Sequence, residues 1–146
     1  MSKTESAELI LKLYDLRREA TMREARNWMA SFVPESAEDL MKAMVNEQSS
    51  VYFRMVTSYW DMAASLVNNG AIDEQMFNDA NGEHNFVFSK IEPFLEEMRQ
   101  TIGNPNMLTN LEKLVMRQPD AKEKLGRIRA MVERRMKAQA EMSKSV

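Results

Sequence analysis

The chain has no cysteine and a single histidine, and its four glycines and four prolines are scattered singly along 146 residues. Without thiols there is no disulfide framework, thiolate metal site or cysteine nucleophile, which suits a reducing compartment. Isolated glycines leave no phosphate-cradling loop. The lone His84 does not supply the paired Glu-x-x-His units of a di-iron bundle, and the residue three before it is Asn81. Ser-His-Asp chemistry would rest wholly on His84, beside no nucleophile motif. No apolar run approaches the roughly 20 residues that cross a bilayer. Met1-Ser2-Lys3-Thr4-Glu5 also carries acid where a secretion signal has its apolar block. These absences predict a cytoplasmic chain with no membrane segment, no catalysis, no cofactor and no metal.

What is present is helical periodicity. Met44, Gln48, Tyr52, Met55, Tyr59, Met62 and Leu66 recur at helical spacing, and Asn69-Gly70 ends the run where glycine takes the left-handed turn. No stretch alternates with period two, so no strand is expected. The length suits one domain able to bury a core unaided. The pattern predicts an all-α fold, a single-domain bundle of five to seven helices over residues 1–146, with 1–4 and 143–146 frayed.

A long N-terminal helix is expected from Thr4 to Ser6 up to Pro34, about 42 Å at about 1.5 Å per residue, enough to overhang a compact body. Its stripe changes partway: Leu9, Leu13, Leu16 and Ala20, then Met22, Ala25, Met29 and Phe32, so its halves should touch different neighbours. Ser36 and Asp39 resemble a capping box for a helix opening at Ala37, with a bend or short break near Ser49-Ser50. Asp73 should cap a short helix ending at Asn81-Gly82. The next helix carries Val87, Ile91, Phe94, Met98 and Ile102 against polar Asn85, Ser89, Glu92, Glu96 and Arg99, and Pro93 should kink or restart it. Asn104 with Pro105 is favoured over Thr109 with Glu112 as the next start, and Pro119 opens a last helix striped by Leu125, Ile128 and Val132.

Charge is polarised along the chain. Residues 34–112 hold 13 acids and 4 bases, and residues 113–146 hold 10 bases and 4 acids. The favoured reading is a basic C-terminal helix lying on the acidic middle or solvated by itself. Fourteen methionines, among them Met29, Met41, Met44, Met55, Met62, Met98 and Met131 on or beside apolar stripes, predict an adaptable core. His84 falls on the apolar side of its helix and reads as a structural histidine. Glu92, Glu96 and Glu97 read as a solvated face, since carboxylate catalysis needs a cleft to shift pKa values.

The most distinctive text is the segment from Leu13 to Trp28. It resembles a group of uncharacterised bacterial small all-helical proteins sharing an Arg-Arg-Glu…Met-Arg…Ala-Arg…Trp helix and a Pro-Glu-Ser turn. Arg17, Arg18, Glu19, Met22, Arg23, Ala25, Arg26, Trp28, Pro34, Glu35 and Ser36 carry that likeness. The resemblance implies no activity or ligand.

Three functions follow as expectations. The first is a protein-interaction module that forms a homodimer or docks another protein through Trp28, Met29 and Phe32 as anchors, oriented by Arg17, Arg18, Arg23 and Arg26. The second is a sensor-like bundle holding a small apolar ligand near Tyr52, Tyr59, Trp60, Phe88 and Phe94. The third and weakest is nucleic-acid binding through Arg127, Arg134 and Lys137, for which no base-reading motif is present.

Overall fold

A computed structural model describes residues 2–145 of the chain. It is all-helical: α1 (Lys3–Leu16), α2 (Ala20–Ser31), α3 (Ala37–Val45), α4 (Ser49–Asn68), α5 (Glu74–Ala80), α6 (Glu83–Ile91), α7 (Leu95–Ile102), α8 (Thr109–Met116) and α9 (Ala121–Lys144). A single 3-10 turn, Glu92–Phe94, joins α6 to α7 without a gap, so the nine α-helices make eight rods, one more than the upper expectation. Pro93 sits in that turn, where its missing N–H interrupts the α-helical bonding and the α-helix restarts at Leu95. Helix assignments begin at Lys3 and reach Lys144, inside the stretches expected to fray, while Met1 and Val146 lie outside the described residues.

The expected long N-terminal helix is two helices. The chain turns at Arg17 to Glu19, and the Glu19 carboxylate accepts from the Thr21 and Met22 amides at 3.1 and 3.0 Å, starting α2 afresh. The two halves do meet different neighbours, α1 packing on α5 and α2 on α4, and no 42 Å rod overhangs the body, but the first stripe faces inward only in part: Leu13 is buried and Leu9 half-buried, whereas Leu16 and Ala20 are exposed.

Other junctions follow their capping chemistry. Ser36 Oγ accepts from the Asp39 amide at 3.1 Å, opening α3 at the expected Ala37. The break before α4 lies at Asn46 to Gln48, and Ser49 and Ser50 begin the next helix. Asp73 caps α5 through the Met76 amide at 2.9 Å, and Gly70 takes its turn at φ +81°. The favoured Asn104 start is corrected: α8 begins at Thr109, with Leu108 left-handed at φ 57°. One of its first amides is served from another helix, Asp61 Oδ1 of α4 accepting from the Leu111 N–H at 2.9 Å. Arg99 closes the intervening loop, donating Nε and Nη2 to the Met107 carbonyl at 3.0 and 2.7 Å and Nη2 to Glu112 at 2.9 Å.

The core sits between α4 and α6. Helix α4 packs against α8, α2 and α3, and α6 against α9 and α8. The buried seam of α4 is Phe53, Val56, Trp60, Ala63, Ala64 and Val67, rotated from the expected stripe. Tyr59 stays buried, Tyr52, Met55 and Leu66 are half-buried, and Met62 is exposed. Two alanines let neighbouring helices come close, a criterion that side-chain size alone does not weigh. Met29 and Met98 are buried, but Met131 is exposed with Met62. Helix α6 is covered almost all round, so the polar face expected there is largely interior: Asn85, Ser89 and, on α7, Arg99 are buried, whereas Ile102 is exposed.

Candidate functional site

The arginine segment builds a latch inside the molecule. Arg26 Nε lies 3.0 Å from both Glu83 carboxylate oxygens, and its Nη2 donates to Oε1 at 2.9 Å. Glu83 Oε2 also accepts from the Trp60 indole N–H at 3.0 Å. Arg17 donates to Asn81 Oδ1 at 3.1 Å and lays its guanidinium over the Tyr14 and Trp60 rings. The Tyr59 hydroxyl donates to the Leu13 carbonyl. Together these groups fasten the α1–α2 turn to the start of α6. Of the expected partner-binding residues, Arg17 and Arg26 are therefore engaged within the chain, and Met29 is buried at 2 % exposure. Arg18 and Arg23 are exposed, while Trp28 and Phe32 stack on each other at 4.7 Å and stand half-buried beside Tyr52.

The residues expected to line an apolar pocket do not converge. Tyr59, Trp60 and Phe88 are packed in the core, Tyr52 lies on the Trp28–Phe32 cleft, and Phe94 lies on a different groove. His84 is fully buried between Trp60 and Phe77, with ring centroids at 5.7 and 5.1 Å. Its Nε2 lies 3.0 Å from Asn78 Oδ1, so that nitrogen carries the proton, and Nδ1 has no partner among the described residues. Burial, helped by the Lys124 charge, pushes the imidazole down to about 4, so it is neutral near pH 7.

An open groove of about 830 Å³ lies between α9, the α2–α3 turn and the α6–α7 junction. Val33, Pro34, Phe94, Val132 and Met136 give it apolar walls. Lys90 lies at its inner side, 5 % exposed, donating to the Met29, Ala30 and Phe32 carbonyls at 2.6, 3.2 and 2.5 Å. Those carbonyls lie at the C-terminal end of α2, which a cation suits, the Met29 carbonyl also accepting from the Phe32 N–H at 3.3 Å. Burial, with Arg135 nearby, lowers the ammonium to about 8. Arg129 donates to the Ser89 carbonyl at 2.8 Å and meets Glu92 only at 3.7 Å. Lys137, Glu35 and Glu133 complete the rim.

Lys90 and Arg129 did not emerge from the sequence as site residues. The available signal was compositional: Lys90 is one of four bases in the acidic stretch 34–112 and is flanked by the apolar residues of α6. Glu83 was missed because its partners, Arg26 and Trp60, lie 57 and 23 residues away. Arg127, Arg134 and Lys137 are exposed along α9. Glu96 and Glu97 are exposed, with Glu96 paired to Arg99 at 3.1 Å. Among the described residues no group of three or more His, Asp or Glu side chains is placed to hold a metal ion, and no helix is long and apolar enough to cross a membrane.

Residues 3–118 match the family described as Domain of unknown function (DUF4760), and the chain belongs to that family. This agrees with the resemblance to uncharacterised proteins seen in the arginine segment. No curated protein matches the chain, and no solved structure does. The matched span ends before α9, so one wall of the groove is contributed from outside it.

Proposed function

We propose that this chain is a non-catalytic helical module that binds a small ligand in the groove beneath α9. The observation that carries the reading is the groove itself, whose volume of about 830 Å³ falls in the range of small-molecule sites and whose apolar walls meet a few converging polar groups. The seat differs from the aromatic interior expected from the sequence, because Trp60 and Phe88 are fully packed. Native mass spectrometry of the purified chain, with a thermal-shift panel of charged and neutral apolar compounds, tests the reading. Ligand at a hundred times Kd stabilises by about 2.7 kcal/mol and raises Tm by several degrees. Met136→Trp, which fills the groove from a half-buried position, should abolish that shift. A bare polypeptide mass together with no shift across the panel overturns it.

A second reading, self-association along α1, is favoured by Leu11 and Leu16, which are 65 % and 58 % exposed on either side of Lys12 and Asp15. Such apolar exposure marks contact surfaces. Sedimentation should then show a species of twice 16.9 kDa that Leu11→Lys with Leu16→Lys returns to 16.9 kDa. A monomer at high concentration ends this reading.

A further inference from the structure

The groove is chemically lopsided. Lys90, Arg129 and Lys137 line it with Glu35 and Glu133; Lys137 and both carboxylates are on exposed residues where solvent and salt screen them, so the less screened charges of the lining are the cations Lys90 and Arg129. Lys90 is the unusual member. A buried ammonium normally has a carboxylate beside it, yet the partners of Lys90 are three neutral carbonyls. The charges packed closest to it are cationic: Arg135 approaches the same Phe86 ring and donates to the same Ala30 carbonyl at 3.4 Å. Arg129 spends one donor on Ser89 and holds Glu92 loosely, which leaves guanidinium N–H groups for an acceptor in the groove. Between these charges the lining is hydrocarbon, from Val33, Pro34, Phe94, Val132 and Met136.

We propose that the ligand of this groove is a single-chain anionic amphiphile, its carboxylate or similar head group held by Arg129 beside Lys90 and its acyl chain lying along Val132 and Met136 toward Lys137. The inference rests on the groove being a ligand site and adds the ligand class. From Arg129 to Lys137 the lining of α9 runs about 12 Å, the reach of a medium-length acyl chain. The Lys90 ammonium, its three hydrogens already donated to carbonyls, acts through space, and the arriving anion supplies the countercharge that the fold leaves out. Burial and Arg135 weaken the hold of Lys90 on its proton, and a bound anion reverses that direction.

Calorimetry of the intact chain with dodecanoate below its micelle concentration tests this beside dodecanol and dodecyltrimethylammonium. Dodecanoate should bind with one-to-one stoichiometry, at least tenfold tighter than the alcohol, with no binding of the cation. Arg129→Gln, at a half-exposed position outside the buried core, should weaken dodecanoate at least tenfold and leave dodecanol unchanged. Equal affinity for dodecanoate and dodecanol, both lost in Met136→Trp, overturns the anionic class and leaves the groove reading standing. Equal binding of all three compounds that Met136→Trp does not change overturns both, since the sites are then adventitious. Failure of dodecanoate to bind, or co-sedimentation with phosphatidylglycerol vesicles in place of dodecanoate binding, overturns the proposal.

Discussion

At the scale of single residues, polar side chains in the interior decide more than their number suggests. His84 is held neutral between Trp60 and Phe77, below its ordinary pKa of 6.5 at about 4. The unfolded chain therefore binds a proton between pH 6.5 and 4 that the folded chain refuses. The sign follows: stability is unaffected above pH 6.5, falls as pH drops through that window, and is lower by about 3 kcal/mol once both forms are charged or forced to be. Urea unfolding at stepped pH should show that slope, and His84→Phe, which keeps a ring between the same neighbours, should flatten it. An unchanged slope in His84→Phe would assign the acid sensitivity to carboxylates such as Glu19, whose pKa is lowered by the Thr21 and Met22 amides. Lys90 illustrates the same economy at the end of α2, three carbonyls being satisfied by one side chain.

At the scale of elements, the junctions carry the architecture. The break between α1 and α2 is held by Glu19 from within and by the Arg26–Glu83–Trp60 latch from across the fold. Glu83→Ala removes the acceptor of both Arg26 and the Trp60 indole, leaving a half-buried guanidinium and a core N–H unpaired. Its cost should be about 2–3 kcal/mol, read as a lower urea midpoint at constant m. Glu83→Gln should recover part of it, because an amide oxygen still accepts one of the bonds. A change below about 0.5 kcal/mol would place the latch among surface ion pairs of no consequence. Local signals located α3, α5 and the Pro93 turn, because caps, proline and glycine act within a few residues, but they did not show the break that separates α1 from α2. Nor did they locate the start of α8, whose amide is satisfied by Asp61 from 50 residues away.

At the scale of the whole molecule, α9 is both core and projection. Ala121, Leu125 and Val132 are buried, while Ala138 to Ser145 are exposed. A chain ending at Lys137 should melt within a degree or two of the full chain. A chain ending at Gln118 should lose cooperative melting, because Leu125 and Val132 leave the faces of α6 and α8 uncovered. Leu125→Ala provides a milder check, with an expected loss of about 2–4 kcal/mol. If the chain ending at Gln118 melted like the full chain, α9 would be an appendage, and the groove beneath it would lose one wall. Charge polarisation is only partly spent inside the fold: Arg117 meets Glu74 at 2.7 Å and Arg129 reaches Glu92 at 3.7 Å, leaving most of the basic helix to solvent.

The amino-acid order by itself determined what short-range chemistry governs: the all-helical class, the caps at Ser36 and Asp73, the left-handed Gly70 and the turn at Pro93. Tertiary structure alone decided which stripe of α4 faces inward and that α6 is enclosed, so that Asn85, Ser89 and Lys90 lie inside. It also turned Arg17 and Arg26 toward Asn81 and Glu83 and raised a groove between α9 and the α2–α3 turn. The reason is physical. Caps and turns are settled by groups a few bonds apart, whereas burial, ion pairing and cavities depend on distances between residues far apart in the chain, which no local pattern encodes.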